Sequence, residues 1–170
     1  MEHLRFEEID PKNKMQCECF KKMMHAYSKE LGGMEELCGE QDIAAVIEKW
    51  VQSILRLLGP SDRHLKLCWL GDQPADFLYG KVDHEEHRGF VKPGYGYVME
   101  FYVVPLLRRK GIGTAMLRHL ESCFKLDGAT QMYLTTDTNE GIAFWQHMGF
   151  VNTHEKCPEN QTEIYEKTMD

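Results

Sequence analysis

The stretch from Tyr97 to Cys123 constrains this chain more than any other. It opens with YVMEFYVV, which carries one charge, and passes through Pro105 into the cationic turn RRKGIG. Behind the turn, Ile112, Met116, Leu120 and Cys123 recur at helical spacing. A strand that leads through a tight turn into an amphipathic helix belongs to a sheet with helices laid on it. The turn also has its own chemistry. The first N–H groups of a helix have no partner inside it, and the helix dipole adds partial positive charge at that end. Glycines let the backbone come close to an anion, so this turn is suited to cradling a phosphorylated ligand. Two common nucleotide motifs are excluded. A dinucleotide fingerprint needs a third glycine where Met116 stands, and a P-loop needs Gly-Lys-Ser/Thr after a longer spacing.

The rest of the chain supplies the partners of this unit. HLRFEEI reads as a short strand, after which Asp10 as N-cap and Pro11 at the first helical position open a helix. Its apolar stripe is Cys19, Phe20, Met23, Tyr27 and Leu31, and Gly32-Gly33 stops it. A second stripe of Ile43, Val46, Ile47, Trp50, Ile54 and Leu58 is closed by Gly59-Pro60. Core packing accounts for both stripes. LKLCWL, ADFLYGKVD and GYGYVMEFYVV read as strands, the last two joined by the polar link HEEHRGFVKPG. After the cationic turn and its helix, which ends at Asp127-Gly128, QMYLTTD reads as a strand and EGIAFWQHM as a short helix ended by Gly149. FVNTHE and TEIYEKTM close the chain as strands. The order β-α-α-β-β-β-α-β-α-β-β, without repeats or a linker, predicts a single domain over 1–170 of the α/β (α+β) class. Its sheet is expected to be mixed, mostly antiparallel and twisted, with about six to seven strands flanked by about four helices.

Composition narrows the function classes. No apolar run approaches the ~20 residues that cross a membrane, and the opening MEHLRFEEID lacks the apolar core of a secretory signal. None of the six cysteines forms a C-x-x-C pair, so free thiols in a cytoplasmic protein are expected. A net charge of -7 speaks against a general nucleic-acid surface and fits a cationic partner better. His84-Glu85-Glu86-His87 lacks the helical H-E-x-x-H spacing, so a solvated loop is expected there and no metal is predicted. His147, two residues after Trp145, is expected at the surface.

Two motifs resemble a known family. V-x-P-x-x-R-x-x-G-x-G, here Val103-Val104-Pro105-Leu106-Leu107-Arg108-Arg109-Lys110-Gly111-Ile112-Gly113, resembles the acyl-CoA motif of the GNAT superfamily of N-acetyltransferases. NEGIAFWQHMGF resembles that family's N…A-x-x-F-Y-x-x-x-G-F segment, and the element order is similar to the family fold. The part before the first hairpin strands matches in topology alone.

The resemblance implies an acetyl-CoA-dependent N-acetyltransferase, with acetyl-CoA as co-substrate. The amides of Arg109, Lys110, Gly111, Ile112, Gly113 and Thr114 would hold the CoA pyrophosphate, with Arg108 at the leading position. The strand end Phe101, Tyr102 and Val103 would pair with the pantetheine arm, and a backbone N–H near Val103 would polarise the thioester carbonyl. Asn139 matches the asparagine that reaches the pantetheine. Trp145 stands where the family carries the tyrosine that protonates the leaving thiolate; its indole N–H is no useful acid, and it is expected to pack on the pantetheine as a cofactor-binding residue.

An amine of pKa near ~10 must lose a proton before it attacks. Glu100, the single charge of its strand, is the candidate base. The competing reading is a sheet-end carboxylate paired with Arg or Lys. Tyr102, Tyr133 and Tyr165 are candidate acids, each also readable as a packing residue. Alternatively the thiolate leaves unassisted, which a thiol pKa of ~8.5 permits. The expected partners are acetyl-CoA and a primary amine on a small cationic molecule such as a polyamine, amino sugar or amino acid, with no nucleic acid and no membrane. A peptide acceptor, a catalytically silent acyl-CoA-binding module and a homodimer stay open.

Overall fold

The computed structural model describes residues 3–39, 41–136 and 138–170. Strand β1 (Leu4–Glu8) leads into a turn in which the Asn13 amide donates to the Asp10 carbonyl. Pro11 suits the second place of such a turn because its ring presets φ. Asn13, rather than Asp10, is therefore the N-cap of helix α1 (Lys14–Leu31), its Oδ1 accepting the amides of Met15 and Gln16 at 3.1 and 3.3 Å. The helix begins later than expected because the turn has already committed the backbone of residues 10–13. α1 buries Phe20, Met23 and Met24, while Leu31, expected in its stripe, is half exposed. It sits at the last turn, where Gly32 leaves the helix with φ 68.

A further short helix, α2 (Met34–Cys38), occupies the stretch that reads as a break. α3 (Ile43–Leu57), capped by the Asp42 side chain on the Ala44 amide, buries Ile47, Val51, Ile54 and Leu55. Strands β2 (Arg63–Leu70), β3 (Gln73–Val82) and β4 (Gly96–Val103) follow. A 3-10 turn, Pro105–Leu107, leads to α4 (Ile112–Leu126), β5 (Gln131–Thr136), α5 (Asn139–His147), β6 (Val151–Lys156) and β7 (Glu163–Thr168). Five α-helices are thus present among the described residues, one more than the sequence pattern shows. Met1 and Glu2 of the opening segment and Asp137, read as the end of QMYLTTD, lie outside those residues.

The strands form one sheet in the order β1-β2-β3-β4-β5-β7-β6. β1 with β2, β5 with β7 and β6 with β7 are antiparallel. β4 and β5 are parallel, Gly96 facing Met132 and Tyr97 facing Tyr133, and α4 is the crossover between them. This is the mixed, mostly antiparallel sheet the element order predicts.

Two compact units make up the chain. The first takes Met1–Pro60, Leu65–Leu78 and Phe101–Ile112, and the second Ser61–His64, Tyr79–Glu100 and Gly113–Asp170. In the first, Phe77 of β3 lies 5.2 Å from Phe20 and 5.7 Å from Tyr27, and Tyr102 of β4 lies 5.6 Å from Tyr27. In the second, the stripe of α4 is buried as expected, and Phe124 lies directly on two strand glycines. A Cβ on Gly96 would meet the Phe124 ring at 2.3 Å, and one on Gly80 at 2.8 Å. Neither position tolerates a side chain without moving the helix.

Candidate functional site

In the first unit the decisive segment is the exit from β4. Arg109 takes φ 63 and Gly111 φ 80. Among the described residues, no heavy atom other than those of Gly111 and its two chain neighbours lies within 4 Å of where a Cβ on Gly111 would stand, so the backbone there is open to close approach. Left-handed residues in a turn aim successive N–H groups at an anion, and the first amides of α4, from Ile112 through Thr114, have no carbonyl one turn before them in the helix. Arg109 and Lys110 are exposed. An open backbone, a positive helix end and two exposed cations fit a pyrophosphate.

Arg108 behaves differently from its two neighbours. Its Nε donates to the Val103 carbonyl at 2.9 Å, its guanidinium donates to Glu30, and its Cζ lies 5.9 Å from the centre of the Tyr102 ring. The leading arginine of the motif therefore secures the end of β4. Tyr102 is buried at 4%, its ring packed among Tyr27 and Phe77. Burial raises its pKa, helped by the Glu30 charge and opposed by Arg108.

The same unit contains a residue outside every motif. Asp76 on β3 is fully buried, and its Oδ1 accepts the Val104 N–H at 2.8 Å. Among the described residues its Oδ2 meets no hydrogen-bond donor. Burial pushes its pKa from 3.8 up to about 7, against the pull of the Val104 amide and the Arg108 charge. The signal in sequence is a lone carboxylate between Ala75 and Phe77, the same kind of signal that marks Glu100.

In the second unit Glu100 is half-buried on β4. Burial first, and then its negative charge, raise the Tyr97 phenol to about 12. Burial raises the Tyr79 phenol too, opposed by Arg63 and supported by Glu100. The Arg63 guanidinium donates to the Tyr79 hydroxyl at 2.6 Å. Asn139 is the exposed first residue of α5. Trp145 is buried at 9%, its ring set edgewise on Phe144 and Phe150 at 4.8 and 5.5 Å. The Thr114 hydroxyl donates to the Met148 sulfur at 3.7 Å, tying the first turn of α4 to the end of α5.

Two of the candidate acids are held by other groups. The Tyr133 hydroxyl donates to the buried Asp83, and burial together with that bond raises its pKa. The Tyr165 hydroxyl accepts from Asn152 at 3.4 Å and donates to Glu163 at 3.5 Å. His84 and His87 are engaged as well, His84 with Asp62 at 2.5 Å and His87 with Lys81 at 2.9 Å, while Glu85 and Glu86 face solvent. His147 is exposed.

The sequence profile of the Acetyltransferase (GNAT) family matches residues 20–150. No curated protein matches the chain in sequence. The fold is similar to that of an acetyltransferase from Thermus thermophilus, at 18% identity over 97% of this chain and 96% of that one, with a TM-score of 0.71. It is similar to PaiA N-acetyltransferase from Thermoplasma acidophilum in complex with coenzyme A, at 14% identity over 98% and 99% of the two chains and a TM-score of 0.68. A ribosomal-protein alanine N-acetyltransferase from Escherichia coli is similar at 12% identity over 99% and 95%, with a TM-score of 0.61. At these identities the likeness is one of fold. The family match spans both the cationic loop and the helix with its tryptophan, and the chain belongs to the GNAT family of acetyltransferases.

Proposed function

We propose that this acetyltransferase acetylates a primary amine of a small cationic molecule by direct attack on the thioester of acetyl-CoA, the family's co-substrate. One observation carries the proposal: Glu100 is a half-buried carboxylate on the strand that runs into the open cationic loop. The overall charge of -7 and the exposed Glu35 and Glu36 in the first turn of α2 favour a cationic acceptor.

Each residue then has a task. The amides from Arg109 through Thr114, with the Arg109 and Lys110 cations, hold the pyrophosphate. Phe101 to Val103 align the pantetheine arm along the strand, with Asn139 and Trp145 as further contacts, and the Val103 N–H polarises the carbonyl. Glu100 takes a proton from the incoming ammonium. The amine nitrogen bonds to the acyl carbon as the C–S bond breaks, its second excess proton passes to solvent water, and the products are the N-acetyl amine and free CoA. With Tyr133 and Tyr165 engaged by Asp83 and Glu163, and Tyr102 buried, we assign departure as the thiolate, for which a thiol pKa of ~8.5 suffices.

The test is thiol release from acetyl-CoA with a panel of polyamines, amino sugars, amino acids and short peptides. Turnover of a small cationic amine is expected. Turnover of peptide N-termini alone would replace the acceptor class, and CoA binding without turnover on any amine would leave a silent module. Glu100→Gln should lower turnover of the amine by about 100-fold or more, and unchanged turnover removes Glu100 as the base. Gly111→Asp places a charge and a side chain at the pyrophosphate site, so the folded variant should lose CoA binding.

A further inference from the structure

One peptide group in the first unit is held at both ends by opposite charges. The bond joining Val103 to Val104 carries the Val103 carbonyl and the Val104 N–H. The carbonyl accepts from Arg108 Nε at 2.9 Å, and the N–H donates to Asp76 Oδ1 at 2.8 Å. A cation on the oxygen and an anion on the N–H both follow the peptide dipole, so each contact strengthens the other. The N–H also reaches the Ala75 carbonyl, at 3.2 Å, so the backbone pairing of this residue does not require the carboxylate.

The location is expensive for an aspartate. Ala75, Asp76, Phe77 and Leu78 are all fully buried, and a carboxylate taken out of water costs several kcal/mol unless well paired. Asp76 has one amide, and its second oxygen meets no donor among the described residues. An apolar residue at this place would relieve that cost, so the carboxylate does something other than stabilise the strand. What it holds is the corner where β4 gives way to the acyl-CoA loop.

We propose that Asp76 is a positioning residue for acetyl transfer: with Arg108 it clamps the Val103–Val104 peptide and so fixes the strand end that presents the Val103 N–H to the acyl group. This rests on the assignment of Arg109 to Thr114 as the pyrophosphate site. The clamp has a protonation state. With the Asp76 pKa near 7, the carboxylate is ionised and the clamp complete above neutrality, and the charge is lost as the pH falls below it. The charged and titratable groups that act on it or feel it are Arg108 from the loop, Cys68 from β2 and Tyr102 from β4. Burial, with Asp76 second, holds the Cys68 thiol at about 12, and the Tyr102 phenol is raised, so neither ionises in the range where Asp76 does. Arg108 stays charged throughout.

The experiment compares steady-state turnover of the wild type, Asp76→Asn and Asp76→Ala across pH 5 to 9 with acetyl-CoA and the best amine of the panel, alongside CoA affinity. Asn keeps an oxygen for the Val104 N–H but has no charge to lose. Asp76→Ala removes the side-chain acceptor and leaves the Val104 N–H to the Ala75 carbonyl alone, and its kcat should fall by about 100-fold, the effect of a small misplacement at the reacting centre, with KM for acetyl-CoA changing by less than about 3-fold. Asp76→Asn should recover part of that loss, should hold at every pH the level the wild type shows on its acid side, and should lack the inflection near pH 7 seen in the wild type. If Asp76→Ala does not fold, Asp76→Asn carries the test alone. A wild-type inflection that survives in Asp76→Asn, or a folded Asp76→Ala with wild-type kcat, overturns the clamp. Gly111→Asp separates the two ideas: retained CoA affinity there means the pyrophosphate site itself is misassigned, whereas lost affinity there with an inert Asp76 means only the clamp is wrong.

Discussion

Two aspartates at opposite ends of β3 are equally buried and differently served. Asp83, just past the strand, has the Lys81 ammonium 3.2 Å from Oδ1, and its Oδ2 accepts the Lys92 N–H at 2.8 Å as well as the Tyr133 hydroxyl. Its own backbone closes the loop after β3, donating to Tyr95 and accepting from Gly94 at 2.8 Å each. Asp76, near the start of the strand, has a single amide on one oxygen and none on the other. Burial alone therefore says little about a carboxylate's job. A carboxylate with an ammonium beside one oxygen and two donors on the other is scaffold, because those partners depend on it. An undersaturated one beside a functional loop remains sensitive to protons and to its neighbours.

The comparison breaks most visibly at Asp83. Asp83→Ala removes the carboxylate beside the Lys81 charge, which is 7% exposed and keeps only the His87 nitrogen, and leaves the Tyr133 hydroxyl without its acceptor, so urea denaturation should show a loss of about 3–5 kcal/mol. A loss below about 1 kcal/mol would mean the cluster is not the scaffold described here.

Asp76→Asn should do the opposite at alkaline pH. A carboxyl whose folded pKa is raised from 3.8 to about 7 contributes its full stability below the unfolded value and loses it as the pH rises through about 7. The wild type should therefore lose stability relative to Asp76→Asn between pH 4 and 8, by an amount on the order of 4 kcal/mol. Parallel stability curves for the two proteins would contradict the raised pKa.

Tyr133→Phe removes one of the donors to Asp83 and should cost about 1 kcal/mol, since the Lys92 amide and Lys81 remain. The smallest effect is expected at Glu30→Gln. The Glu30–Arg108 pair is more than a third exposed on both sides, so thermal stability should barely move, and KM for acetyl-CoA should change by less than about 3-fold. A larger change would show that Glu30, through Arg108, takes part in holding the end of β4.

The parts of the fold that were legible are those with local periodicity. The stripe of α4 reads directly from Ile112, Met116, Leu120 and Cys123, all buried. The α3 stripe read only in part: Ile47 and Ile54 are buried as expected, but Val51 and Leu55 are buried where Val46, Trp50 and Leu58 were expected, and the helix ends at Leu57 before the Gly59-Pro60 stop. The start of α1 was not legible, because Asp10-Pro11 is an equally good turn and Asn13 an equally good cap. α2 was hidden by its five residues, too few for a repeating pattern. The candidate site divides in the same way. The glycine turn and Glu100 stand out along the chain, while Arg108 reads as one more ligand cation although it bonds back to Val103 and Glu30.

The sequence by itself determined the order of the elements, the open cationic turn at the mouth of α4, and the family to which those motifs point. Each depends on residues a few positions apart, whose spacing matches a helix or strand period. Tertiary structure alone decided which buried groups meet. Asp76 finds the Val104 amide 28 positions away and Asp83 finds Tyr133 at a separation of 50. Those meetings depend on which strands are neighbours and in what register, a long-range outcome that no local period encodes.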